Sequence, residues 1–312
     1  MAVDPESGDA ASSTASTAGR PRAEIRKTYK LYVGGKFPRS ESGRSYAVLD
    51  NAGDFWANAS QASRKDARDA VVAARAAQKG WGAATAYNRG QVLYRVAEVM
   101  EGRREQFVDE VQRGEGLTRR RAVAVVSTAI DRWVWYAGWT DKVAQVSGGA
   151  NPVAGPYFNL SAPEPTGVVA VLAPQSSSLL GLVSVLAPVL VSGNAVVVLT
   201  SQTRPVPAIT LAEVLATSDV PGGVVNILTA HTAEVAPWLA SHADVNAIDL
   251  AGAVGMADGG WADLERAAAQ TLMRVVRPSA SGAEPDWTRP PSGPARILAF
   301  TETKTVWHPK GA

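Results

Sequence analysis

The sequence predicts an α/β protein: a doubly wound, Rossmann-like parallel sheet with helices on both faces, plus an arm made of a β-hairpin and a C-terminal strand. Three observations carry that expectation. Four short apolar runs, Gly167–Leu172, Ala195–Leu199, Val224–Leu228 and Val245–Leu250, lack the alternation of a half-solvated strand, as strands buried on both faces do. Helical stretches at Leu179–Val191, Val206–Thr217 and Ala233–His242 lie between them, and such alternation implies parallel pairing through crossovers. The closing run Arg296–Pro309 is rich in β-branched residues and ends on a proline, set off by residues 277–294, which are rich in Pro, Ser and Gly.

The elements before the sheet follow in order. Met1–Glu24 is rich in Ser, Ala, Gly, Asp and Pro without an apolar run; it reads as a disordered tail and not as a signal peptide. Lys30–Phe37 reads as a hairpin around Gly34-Gly35, and Asp50–Gly53 as a turn. Ser63 with Asp66 three residues on caps a helix Lys65–Gly80, whose Ala67, Val71, Ala74 and Ala77 share one stripe. Trp81 and Gly82 are expected to interrupt it. A second helix is predicted over Asn88–Gln112 and a third over Thr118–Gly138, with Trp133, Trp135 and Tyr136 as core. Asp141–Phe158 reads as extended, and Trp261–Val276 as one more helix.

Composition excludes several classes. The 312 residues are 46% apolar, ample for a core, and 31 basic against 29 acidic residues leave a net charge of +2, too small a field for nucleic acid or an anionic membrane. Arg119-Arg120-Arg121 reads as a solvated face. There is no cysteine, hence no disulfide, thiolate nucleophile or cysteine metal site. His231, His242 and His308 show no ligand spacing, so no metal is expected. Leu179–Leu199 is apolar over most of its length, but Pro188 and Ser192-Gly193-Asn194 break it into a buried helix and strand. A cytoplasmic protein is expected.

Four collinear patches resemble the aldehyde dehydrogenase superfamily. They are Leu31–Trp81; Tyr136–Lys142 through Gly155–Phe158; Glu164–Thr229, including Val220-Pro-Gly-Gly-Val-Val-Asn-Ile-Leu-Thr229; and Phe300–Trp307. The resemblance implies an NAD(P)-binding-like domain over 25–142 and 159–276, an oligomerisation arm over 143–158 and 295–312, and a linker over 277–294. It also implies a second α/β domain, carrying the nucleophilic cysteine and a glutamate base, between the sheet and the final strand. Only Val254–Ala295 lies there, about forty residues against the ~100–150 of a usual domain. The chain is therefore expected to have no catalytic residues of its own.

The same resemblance places a vestigial cofactor site at Pro174, Ser176, Gln202 and Gly252. Ser176 stands where the family has an asparagine that helps hold an oxyanion. Leu199 and Gln202 stand where it has a ribose-binding lysine and glutamate, and Ala230, Ala251 and Ala253 replace residues of its glycine motifs. NAD(P) is a possible ligand, but tight binding is not expected after two or three lost hydrogen bonds of ~1 kcal/mol each.

Two readings of function result. The first is a catalytically inactive subunit, a pseudoenzyme, that assembles hetero-oligomerically with a complete aldehyde dehydrogenase. Its contacts are expected at Phe300, Thr301, Thr303, Thr305 and Trp307, by strand addition, with Phe300 and Trp307 either as anchors or packed on the chain's own hairpin. The alternative is a free-standing NAD(P)-binding oxidoreductase component, supported by the crevice expected at the strand carboxyl ends. A hydrolase built on Ser176-Ser177-Ser178 lacks a nearby base, and that run reads as the cap of the helix beginning at Leu179.

Overall fold

A computed structural model describes residues 25–256 and 260–311; the tail expected to be disordered, Met1–Glu24, lies outside them. The elements are β1 (Thr28–Tyr29), β2 (Ser45–Leu49), β3 (Phe55–Ser60), α1 (Arg64–Ala83), α2 (Ala86–Gly102), α3 (Arg104–Glu115), α4 (Arg119–Ala137), α5 (Val143–Ser147), β4 (Gly149–Asn151), β5 (Tyr157–Pro165), β6 (Val168–Leu172), α6 (Leu180–Val191), β7 (Ala195–Leu199), α7 (Val206–Ala216), β8 (Val225–Leu228), α8 (Thr232–Ala240), β9 (Ala247–Asp249), α9 (Gly260–Ala269), β10 (Arg274–Val276), α10 (Ala295–Leu298) and β11 (Thr301–Pro309).

The central sheet is parallel throughout, in the order β10-β9-β6-β7-β8. Every residue of β6 and β7 is buried, which is why these strands read as unbroken apolar runs. One face packs on α6, α7 and the bundle α2–α4, the other on α1, α8 and α9. Trp133 and Tyr136 are core residues of the first cluster, as their helical spacing implied, and Trp135 packs against it.

Several local signals take the form the sequence implies. Val33 and Lys36 exchange both backbone hydrogen bonds around Gly34-Gly35, whose φ values are +61° and +79°, a conformation glycine adopts without strain. Ser63 and Asp66 form a full capping box at α1. Arg119-Arg120-Arg121 is exposed, and Arg119 pairs with Asp109 and Glu105.

Other boundaries differ. The helix α1 continues through Trp81 and Gly82, because tertiary contacts use both. The Trp81 indole N–H donates to the Leu190 carbonyl at 3.1 Å, and Gly82 passes so close to Gly193 that a Cβ on Gly193 would lie 2.9 Å from its Cα. The expected helix Asn88–Gln112 divides at Arg103, whose φ of −113° ends α2 and starts α3. Its side chain holds the break by donating to Gln106 and Glu213.

The expected helix Trp261–Val276 ends at Ala269, and Arg274–Val276 turns out to be the strand β10 at the sheet edge. In Arg296–Pro309 only Thr301 onward is strand; Ala295–Leu298 forms the turn of helix α10. Within the stretch read as extended, Val143–Ser147 is helical. No helix among the described residues is long and apolar enough to cross a membrane.

Candidate functional site

Two places carry chemistry: the crevice at the carboxyl ends of the central strands, and the arm. Parallel sheets place their ligand crevices at those strand ends. Here a cavity of about 400 Å³ opens between α8 and α9, lined among others by Gln175, Gln202, Thr232, Gly252, Met256 and Leu264. Of the four residues expected to touch a cofactor, Gln202 and Gly252 share this cavity, whereas Pro174 and Ser176 lie outside it.

Pro174 is buried against α6, within 2.9 Å of where a Cβ on Gly181 would stand. Gly252 has a backbone reason to be glycine, since a Cβ there would come 1.9 Å from the Ala173 carbonyl oxygen. The turn after β9 therefore runs directly over the end of β6. Leu199, Ala230 and Ala253 are buried in the apolar cluster on that side of the sheet and present no polar group to the cavity.

The polar groups at this end of the sheet are already committed to one another. The Gln202 side-chain oxygen accepts from the Thr232 N–H at 3.1 Å, and its backbone N–H donates to the Gln175 side-chain oxygen at 2.9 Å. The Gln175 amide nitrogen in turn donates to the Ala173 carbonyl at 2.8 Å.

A carboxylate, Glu284 of the 277–294 segment, sits on the loop after β6. It accepts from the Gln175 N–H at 2.5 Å, from the Ser176 N–H at 3.0 Å and from the Ser176 hydroxyl. A second carboxylate, Glu115 at the end of α3, accepts from the Ser178 N–H and hydroxyl, both at 2.7 Å. Burial pushes Glu115 above the usual carboxylate range, against the opposing pull of those bonds. The N-cap of α6 is Leu179, which makes no side-chain cap bond; from the serine run, Ser177 accepts from the Gly181 N–H at 2.9 Å. Neither glutamate is near the loop in sequence, so the sequence carried no signal for them.

The arm is an antiparallel sheet in the order β11-β5-β4. Strand β11 pairs with β5 along its whole length, from Thr301 opposite Pro165 to Pro309 opposite Tyr157, and its other edge has no strand partner among the described residues. The register sorts the side chains onto two faces, because successive residues alternate. One face carries Thr303, Thr305 and Trp307 with Ser161 and Tyr157. There the Ser161 and Thr305 hydroxyls are 2.8 Å apart, and the Trp307 and Tyr157 rings meet edge to face at 5.8 Å. The opposite face carries Phe158, Leu160 and Val306, all exposed; the sequence alone does not single out these three.

Phe300 was expected as an anchor of the partner contact or as packing on the chain's own hairpin. It is instead fully buried in the chain's own core, and its carbonyl accepts from the Asn194 side chain at 2.9 Å. Thr301 is buried too, its hydroxyl donating to the Leu298 carbonyl. Both residues moor the arm to its own domain. Thr303, Thr305 and Trp307 remain exposed, Trp307 by 57%.

The fold defines the class: a Rossmann-like parallel α/β sheet flanked by helices, with an antiparallel three-stranded arm that includes the C-terminal strand. Comparison with known proteins carries this further. The aldehyde dehydrogenase family model matches residues 37–276, and the chain belongs to that family.

It is 32% identical over 236 residues to cytosolic 10-formyltetrahydrofolate dehydrogenase of Mus musculus, a match covering 73% of this chain and 26% of that protein. Among solved structures, HpcC from Thermus thermophilus superposes with a TM-score of 0.75 at 26% identity, covering 80% of this chain and 47% of that one. The NAD+ complex of an aldehyde dehydrogenase from Bacillus cereus shares the fold with a TM-score of 0.73 at 24% identity, covering 80% of this chain and 50% of that one. The chain thus spans half or less of the length of these relatives.

The family implies NAD(P), and the residues present fit it poorly. The donors after β6 already hold a carboxylate, the Gln202 amide is bonded within the chain, and Leu199 offers a ribose nothing. No cluster of three metal-ligating side chains occurs among the described residues.

Proposed function

We propose that this chain is a non-catalytic member of the aldehyde dehydrogenase family that assembles with a complete aldehyde dehydrogenase as a structural or regulatory partner. The observation that carries this reading is β11, nine residues long, with one edge fully paired to β5 and the other without a strand partner among the described residues. Such an edge is an aggregation hazard when left bare and a ready template for another chain's strand. The absence of cysteine and the shortness of the stretch between the central sheet, which ends at Val276, and the helix that launches the arm at Ala295, well under a usual domain, support a scaffold without a nucleophile of its own. The partner supplies the chemistry, and the apolar face of Phe158, Leu160 and Val306 supplies part of the contact.

The test is co-expression of this chain, tagged, with a complete aldehyde dehydrogenase from the same cells. Stoichiometric co-purification that survives moderate salt is the expected result. A well-behaved monomer that retains no such subunit counts against the reading.

The cavity lined by Gln202 and Gly252 favours the alternative, a free-standing NAD(P)-binding component. Calorimetry separates the two, since that component gives binding heat with NAD or NADP at millimolar concentration and a non-catalytic partner subunit gives none.

A further inference from the structure

We propose that residues 277–294 form a self-docked strap whose Glu284 carboxylate occupies an anion site on the Gln175–Ser176 loop, so that an outside carboxylate or phosphate enters only by displacing it. Docking of the strap is independent of how the arm is used.

Three anchors hold the strap. At Glu284 two backbone N–H groups and one hydroxyl converge on a single carboxylate, the charge-assisted arrangement that binds anions most strongly. Three residues on, the Trp287 and Arg289 carbonyls accept from Arg132 of α4 at 2.9 and 3.0 Å. Arg132 is only 5% exposed, and its remaining bond is to the Ser184 hydroxyl at 2.6 Å. A buried guanidinium is costly without acceptors, so α4 holds a charge that the strap's carbonyls complete. The third anchor is the Trp287 ring, which lies 5.6 Å from the Arg296 guanidinium, a cation–π distance.

A plain spacer accounts for none of these contacts. A spacer needs no buried arginine waiting for its carbonyls, and no carboxylate placed on backbone donors at a strand end. Pro278, Pro285, Pro290, Pro291 and Pro294 restrict the free strap and so lower the entropy lost on docking. The consequence for ligands is electrostatic. Gln175, whose N–H Glu284 holds, also lines the cavity with Gln202 and Gly252, so the docked strap sets a negative charge beside the place a phosphate would take.

The experiment is amide hydrogen exchange, resolved by residue, on the full chain and on Glu284→Ala. The Gln175 and Ser176 amides are expected to exchange about tenfold faster or more in the variant, while the central-strand amides of Val169 and Val197 keep their rates and so report an intact fold. Acetate and inorganic phosphate, added separately, are then expected to slow Gln175 and Ser176 again in Glu284→Ala and to leave the unaltered chain unchanged. Protection by acetate alone identifies a carboxylate site, and protection by phosphate a phosphate site. Unchanged exchange in Glu284→Ala overturns the strap, and faster exchange that neither anion reverses overturns the anion site. Should Val169 and Val197 also accelerate, Ser176→Ala, which removes one donor and keeps Glu284, is read in its place. There a rise confined to the Gln175 and Ser176 amides supports the strap, and no rise overturns it.

Discussion

Asp249 and Arg296 form an ion pair, 2.5 Å apart, between the end of β9 and the short helix that launches the arm. Asp249 is wholly buried, and its second oxygen accepts from the Ala251 N–H at 3.0 Å. Burial pushes its carboxyl above the ordinary range, against the opposing pull of Arg296. The pair fastens the C-terminal segment to the central sheet at one point, as Phe300 does at another. The arm is therefore tied to its own domain at two points, and such pre-organisation would lower the ordering cost of the strand addition proposed above.

Arg296→Met is expected to cost roughly 3–5 kcal/mol at neutral pH, because it leaves a buried carboxylate without its counter-charge. Without the guanidinium the folded Asp249 is raised further above its unfolded value. A raised acid contributes stability that is fully present below the unfolded pKa and lost as pH rises through the folded one. The deficit should therefore shrink on acidification from about pH 8 towards about pH 4.5. Urea unfolding of both proteins across that range checks it; a deficit constant with pH shows that the pair is not what holds the segment.

Much of this fold was legible because β6, β7 and α6 are buried all round and α7 nearly so, so burial writes itself into composition. What was not legible depends on contacts distant in sequence. Arg274–Val276 is a three-residue edge strand behind a helix, too short for its period to register, and it follows Leu272, which carries a positive φ of 54°. Residues 277–294 look like a spacer because their proline and glycine content says nothing of Glu284 meeting Ser176 or of Arg132 reaching Trp287. At the crevice Gln202 and Gly252, two of the four residues the resemblance assigns to a cofactor, line one cavity, but nothing in the sequence foretells that Gln202 bonds to Thr232. On the arm, strand alternation was visible in Thr301, Thr303 and Thr305. The outward direction of Phe158, Leu160 and Val306 required the register with β5.

Gly252→Ala is expected to destabilise the chain by roughly 3 kcal/mol or more. The added methyl would meet the Ala173 carbonyl at 1.9 Å with the Leu172 carbonyl oxygen at 2.7 Å behind it, and backbone on that side gives way only by distorting β6. Thermal unfolding measures the loss. A variant of unchanged stability would free Gly252 for a ligand-contact role instead.

Leu160→Asp combined with Val306→Lys is expected to leave the fold unchanged within about 0.5 kcal/mol, since both side chains are exposed. It should nonetheless abolish association through the arm, because the altered pair lies cross-strand on one face and charge there opposes an apolar contact. Thr303→Ala, on the other face, is the control and should retain association. Analytical ultracentrifugation of the chain with its co-purified subunit distinguishes them, and equal association by both variants places the contact elsewhere.

Glu110→Gln is expected to make the protein more stable at neutral and alkaline pH and no more stable in acid. Glu110, on α3, faces α7. One of its oxygens accepts from the Thr210 hydroxyl at 2.7 Å and the Gln106 amide at 2.9 Å; the other is buried without a partner. Desolvation pushes its carboxyl above the ordinary range for a glutamate, and Glu110 with Glu213 adds to the burial that pushes the Tyr29 hydroxyl up to about 12. As pH rises past the unfolded value the unfolded chain ionises first, so wild-type stability falls until pH has passed the folded value. Glutamine keeps the accepting oxygen and removes the titration. The difference between the two proteins should be near zero at about pH 4 and reach on the order of 1 kcal/mol at about pH 8, read as the gap between two unfolding curves in which every other titrating group cancels. Parallel curves across that range would show that Glu110 ionises in the folded chain as readily as in the unfolded one.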